Sequence, residues 1–221
     1  MPKSVIVIGS TGLVGATLVR LLAAHPGISD VICPGRRPTA PISPNHRPVQ
    51  IDFEDLETVN PEIFKAETLV SAMGTTLKKA GSPEAFRHID FDLVFQFCKK
   101  AKSYGVQRMV LVSSEGASPR SRILYLKVKG DLENAIAELG FESFQILKPS
   151  LLIGDRQESR PLERFAMQMV APLRHLFRGP LAAHRPILAT DVASAAANAV
   201  LRPVQGIQIY SGDRLDQLAR L

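Results

Sequence analysis

One apolar run followed by spaced glycines limits the possible folds of this chain more than any other stretch: Val5-Ile6-Val7-Ile8-Gly9-Ser10-Thr11-Gly12-Leu13-Val14-Gly15. An unbroken β-branched segment predicts a strand buried on both faces. Leu18, Val19, Leu21 and Leu22 follow at helical spacing. Strand, glycine turn and helix together predict the opening of a dinucleotide-binding βαβ unit. In such a unit Gly9 permits the tight turn, Gly12 lets the backbone approach a pyrophosphate, and Gly15 allows close helix–strand packing. The helix N-terminus adds free N–H groups and a positive dipole end, which favour a phosphate there. The spacing is G-x-x-G-x-x-G, one residue wider at the first gap than G-x-G-x-x-G.

Beyond this opening, short apolar runs alternate with helical patterns. Strands are predicted at 30–33, 49–51, 68–73, 108–114, 144–147 and 207–210. Helices are predicted from Pro83 to Gly105, at 125–139, at 161–177 and at 191–201. Prolines at 38, 41, 44 and 48 keep the second crossover from being helical. The alternation argues an α/β fold with a doubly wound, mostly parallel sheet. With 221 residues, 45% of them hydrophobic, the chain can bury one sizeable core. A single domain over residues 1–221 is expected, with residues 151–205 adding a small substrate-side C-terminal cap.

Composition excludes several classes. No stretch reaches the length of a membrane span, and no signal-peptide order opens the chain, so no membrane partner and a cytoplasmic setting are expected. The two cysteines, Cys33 and Cys98, lie in apolar contexts without metal spacing, as reduced structural thiols do. Five histidines form no ligand pattern, so no metal is expected. The formal charge of +6 comes from scattered basic residues without an aromatic-rich stripe, which argues against a nucleic-acid partner.

Two further features carry chemistry. The second strand ends in Gly35-Arg36-Arg37 rather than in the acidic residue that would hold the ribose 2′-OH of NAD. Guanidinium groups suit a 2′-phosphate, so NADP is favoured as cofactor. Tyr125 and Lys129 stand four apart on one predicted helix and share a face. A nearby ammonium favours a phenolate, which suits Tyr125 to giving and taking a proton. Ser113 and Ser114 end the fifth strand, where ligands bind in doubly wound sheets, and a serine hydroxyl there can hold a substrate carbonyl.

Gly9, Gly12, Gly15, Ser114, Tyr125 and Lys129 together resemble an atypical, extended-like short-chain dehydrogenase/reductase. More narrowly, Tyr125-Leu-Lys-Val-Lys129-Gly130 and Asp155-Arg-Gln-Glu-Ser-Arg160 resemble the Tat-interacting-protein-like oxidoreductase group. Gly35-Arg36-Arg37 and Gly74-Thr75-Thr76 match it too, so the likeness covers nearly the whole chain. The resemblance implies a Rossmann fold that binds NADPH. Thr11, Gly12, Leu13 and Val14 would contact the pyrophosphate region, and Arg36 and Arg37 the 2′-phosphate. Met73 and Gly74 would line the cofactor, Leu152 would sit near the nicotinamide, and Arg160 would close over it. Lys129 would hold the ribose and tune Tyr125. Of the two serines, the second of such a pair usually serves in related enzymes. The implied function is an NADPH-dependent oxidoreductase acting on a small-molecule carbonyl or alcohol. The alternative is an NADPH-binding regulatory protein with a protein partner and no turnover.

Overall fold

The computed structural model describes residues 3–37, 39–153 and 186–221. Its main sheet has seven strands: β1 (Lys3–Ile8), β2 (Ile28–Gly35), β3 (His46–Gln50), β4 (Thr68–Ser71), β5 (Arg108–Val112), β6 (Ser143–Lys148) and β9 (Gly206–Ser211). They run β3-β2-β1-β4-β5-β6-β9, every neighbouring pair parallel. A separate two-stranded sheet pairs β7 (Leu152–Ile153) with β8 (Ile187–Leu188). The helices are α1 (Leu13–Ala24), α2 (Leu77–Ala80), α3 (Pro83–Arg87), α4 (Leu93–Ser103), α5 (Leu124–Ala137), α6 (Ala189–Leu201) and α7 (Gly212–Ala219).

Period-two alternation divides the strand side chains between two apolar layers. Val5, Val7, Val31, Val110, Val112 and Leu147 pack with α1, α6 and α7 on one face. Ile6, Ile8, Ile32, Leu69, Met109, Leu111, Phe144 and Ile146 meet α4 and α5 on the other. Both faces are covered, which is why these strands read as continuous apolar runs. α6 is alanine-rich, and its small side chains let it lie closely along α1.

The chain passes from β1 outward through β2 to β3, then returns to place β4 on the other side of β1. The gap between the carboxyl ends of β1 and β4 is therefore the switch point, where this architecture holds ligands. As expected, no helix links β2 to β3 among the described residues, and Pro48 sits in an edge strand, where a missing N–H is tolerated. Asn45 stitches that loop down, donating to the carbonyls of Ala23 at 3.1 Å and Ile28 at 3.2 Å.

Several expectations are corrected. The helix that starts at Pro83 is interrupted by a π turn over His88–Asp92 before α4 begins. The polar loop ahead of it holds the short α2, capped by Thr76, whose hydroxyl accepts from the Lys79 N–H. Of the residues expected to form a cap, Ala189–Leu201 lies instead in the core against α1. The helix expected at 161–177, and the charged run from Asp155 to Arg160, lie outside the described residues.

Candidate functional site

Backbone contact holds the glycine turn in place. Gly9 ends β1 with φ +78°, a left-handed conformation that favours glycine. A Cβ there would stand 2.5 Å from the backbone of Ala72 and Met73, so only glycine lets the ends of β1 and β4 approach this closely. Gly15, buried on α1, would place a Cβ 2.1 Å from the Gly9 carbonyl oxygen. The Gly12 N–H donates to that same oxygen at 3.0 Å, and Gly12 is the N-cap of α1. No side chain caps this helix and no acid stands in its first turn, while Thr11 and Gly12 are exposed. An open, positively polarised helix end over a glycine cradle fits the pyrophosphate of a dinucleotide.

Arg36 and Arg37 follow directly from β2, exposed, and neither side chain forms an ion pair among the described residues. Beneath them Cys33 is buried with its thiol pushed up to about 12, chiefly by desolvation and against a hydrogen bond with Ser10. Burial pushes the Cys98 thiol up as well, so both cysteines are inert packing groups.

On the other side of the switch point, Met73 and Gly74 leave β4 and Tyr125 and Lys129 project from α5. Tyr125 is half-buried against Phe86, the ring centroids 5.7 Å apart. Lys129 is buried, and its Nζ lies 2.7 Å from Oδ1 of Asp90, a residue with no exposed surface. The other Asp90 oxygen accepts from the Thr75 backbone N–H at 2.8 Å. A Cβ on Gly74 would stand 3.2 Å from both the Asp90 carboxylate and the Lys129 ammonium. One carboxylate on the π turn thus ties the lysine of α5 to the loop that leaves β4. The sequence motifs did not single out Asp90. The available signal was its position inside an apolar stripe of Phe86, Ile89, Leu93 and Val94, where an acid needs a partner.

The two serines separate by environment. Ser113 is buried and its Oγ donates to Glu133 Oε1. The other oxygen of that carboxylate lies 2.7 Å from Lys148 Nζ, which also donates to the Ala117 carbonyl at 3.2 Å. Glu133 is one turn beyond Lys129 on α5, so Tyr125, Lys129 and Glu133 form one stripe. Ser114 is half-buried, and among the described residues its Oγ makes only a long 3.4 Å hydrogen bond, to the Glu115 carbonyl. Its loop is clamped to α5 where a Cβ on Gly130 would come within 2.3 Å of the Ser118 backbone. Leu152 lies in β7, beyond the carboxyl end of β6, and Arg160 lies outside the described residues. Among the described residues no group of His, Cys, Asp and Glu is arranged to hold a metal ion.

Known proteins fit this geometry. The pattern described as "NAD dependent epimerase/dehydratase family" matches residues 5–125. The protein FMP52, mitochondrial, of Candida albicans is 33% identical over 227 residues, 98% of each chain. Protein HTATIP2 of Rattus norvegicus is 34% identical over 174 residues, 77% of this chain and 72% of the other. Among solved structures, MoeE5 in complex with UDP-glucose and NAD superposes with a TM-score of 0.70 at 17% identity, covering 98% of this chain and 80% of that one. A UDP-glucose 4-epimerase of Thermotoga maritima with UDP-glucose gives a TM-score of 0.69 at 17% identity, with the same coverage. These confirm the Rossmann-like sheet. One expectation is overturned: relatives matching nearly the whole chain are named as mitochondrial proteins, against the cytoplasmic setting expected from sequence.

Proposed function

The chain belongs to the NAD dependent epimerase/dehydratase family, as a homologue of the FMP52 and HTATIP2 proteins, and from that premise we propose that it is an NADPH-dependent oxidoreductase of carbonyl compounds or alcohols. The observation that supports this reading is the order of the elements: Ser114 follows β5 at the carboxyl edge of the sheet, Tyr125 and Lys129 stand one turn apart on α5, and Asp90 ties Lys129 to the loop that leaves β4. A protein that only senses the cofactor has no need of a serine hydroxyl, a phenol and a buried ammonium in that order. The mitochondrial names of the FMP52 relatives support a mitochondrial setting for the reaction.

Each group has a task. Thr11 to Val14 would hold the pyrophosphate through the α1 N-terminus, and Arg36 and Arg37 would take the 2′-phosphate. Met73 and Gly74 would line the cofactor, with Leu152 on the nicotinamide side. Lys129, fixed by Asp90, would hold the ribose. Ser114 donates its hydroxyl hydrogen to the substrate carbonyl oxygen, because Ser113 is already committed to Glu133. Tyr125 gives its proton to that oxygen as the carbonyl carbon gains a hydride, and takes it back in the oxidative direction. NADPH, when bound, supplies the hydride and leaves as NADP⁺.

The test is Tyr125→Phe against the wild type in a panel of aldehydes, ketones and quinones. Turnover should fall about 10²–10⁴-fold, with NADPH affinity within about twofold because the ring remains. A fully active Phe variant removes Tyr125 from the chemistry. A panel in which nothing oxidises NADPH favours the regulatory alternative.

A further inference from the structure

Large apolar side chains stand exposed on the rim of the candidate site. Leu77 on α2 is 40% exposed, Ile123 at the entry to α5 is 61%, and Leu151 beyond β6 is 72%. The three loops leave the carboxyl ends of β4, β5 and β6, adjacent strands on the opposite side of the switch point from β2 and the arginines. Ile123 is two residues from Tyr125 on the same segment. Single exposed leucines are ordinary on any protein surface. Three on loops that leave adjacent strands, one of them two residues from Tyr125, have the make-up of a ligand wall, which combines apolar lining with a few placed polar groups. Charge there is mostly positive: loops 72–82 and 113–123 carry Lys78, Lys79, Arg120 and Arg122 against one acid, Glu115.

We propose that the substrate is a neutral or anionic carbonyl compound with an apolar chain, its carbonyl at Tyr125 and its chain against Leu77, Ile123 and Leu151. This rests on the oxidoreductase reading above. Several solved structures that superpose on the chain hold nucleotide sugars. A sugar would set hydroxyl groups against these aliphatic side chains and leave them without partners, a costly arrangement. A cationic compound would meet four like charges against one acid.

Straight-chain carboxamides of three to ten carbons cannot accept a hydride, so they separate binding from chemistry. They are titrated into the protein–NADPH complex and read by nicotinamide fluorescence, in a chain without tryptophan background. The corresponding aldehydes are assayed for NADPH oxidation. Amide affinity and aldehyde kcat/KM should both rise about fourfold per methylene over the first several carbons. Replacing two of the three exposed residues, Ile123→Ser with Leu151→Ser, should flatten both series while NADPH affinity and Tm hold steady. Aldehydes reduced with no dependence on chain length overturn the inference and leave the oxidoreductase reading standing. Amides that bind with the expected slope while no aldehyde is reduced support the apolar wall and overturn the redox reading. UDP-glucose displacing the longest amide at lower concentration than the shorter amides do also overturns the inference.

Discussion

Two adjacent serines at the end of β5 have opposite surroundings. The Ser113 hydroxyl is tied to Glu133 and through it to Lys148, while among the described residues Ser114 donates only at 3.4 Å, to the Glu115 carbonyl. The arginine pair after β2 is open in the same sense, exposed and without an ion pair among the described residues. An exposed guanidinium needs no counter-ion, so openness alone is no argument for a ligand. Position is: both arginines follow the strand beside the glycine turn, where the adenosine ribose of a dinucleotide lies. NADPH should therefore bind more than about tenfold tighter than NADH at low salt, since charge-assisted hydrogen bonds contribute roughly 1.5–3 kcal/mol. Arg36→Ala with Arg37→Ala should erase that preference and leave NADH affinity nearly unchanged, as read by fluorescence titration of both cofactors. The preference should also shrink as salt rises. Equal affinities in the wild type would exclude this role.

Among the elements, the π turn between α3 and α4 and its contact with α5 had no sequence signature. A π turn inserts one residue into the helical ladder and often marks a functional place. Here it carries Asp90 into full burial against Lys129. Removing one partner of a buried ion pair leaves a charge without compensation, which costs about 3–5 kcal/mol. Asp90→Asn should lose that much in urea unfolding, and Asp90→Asn combined with Lys129→Met should recover part of it. A loss below about 1 kcal/mol would show that the pair does not hold the turn. The contrast with the glycine turn explains what was legible. Gly9, Gly12 and Gly15 lie within seven residues and act through local backbone geometry, so their spacing alone reveals strand, turn and helix. The strands were found because both sheet faces are covered. The partnership of Asp90 and Lys129 joins residues 39 apart, and that of Ser113 and Glu133 joins residues 20 apart. Each depends on how α5 lies on the sheet, which hydrophobic periodicity does not encode. The place of Ala189–Leu201 was misread for the same reason: an alanine-rich amphipathic helix looks alike whether it caps a site or fills a core.

For the whole molecule, two histidines, one opening β3 and one on the π turn, set opposing pH dependences. His88, on the π turn, has Nε2 2.8 Å from Glu54 and Nδ1 3.5 Å from Asp92, so it joins the segment after β3 to the α3–α4 layer. The Glu54 hydrogen bond is the main cause that raises its pKa above the ordinary 6.5, outweighing a small desolvation. A group raised in the native state adds stability that is complete below its unfolded pKa and is lost as pH climbs through the native value. His46 is the reverse case: it is buried at the start of β3, desolvation lowers its pKa, and its Nδ1 accepts from the Ile42 N–H at 3.1 Å. Protonating that nitrogen would break the bond, so His46 brings a penalty that sets in as pH falls below 6.5. Acidification from pH 8 to pH 5.5 should therefore strengthen one tie and weaken the other. His88→Asn should leave Tm nearly unchanged at pH 8 and lower it at pH 5.5. His46→Asn, whose amide oxygen can still accept from Ile42, should raise Tm at pH 5.5 relative to the wild type. Because the His88 pairs are largely exposed, its effect should be on the order of 1 °C and fade in high salt, while the buried His46 should be insensitive to salt. Thermal melts of the three proteins at both pH values and two salt concentrations read all of this directly. A His88 variant less stable at pH 8 than at pH 5.5, each against the wild type, would reverse the assigned sign.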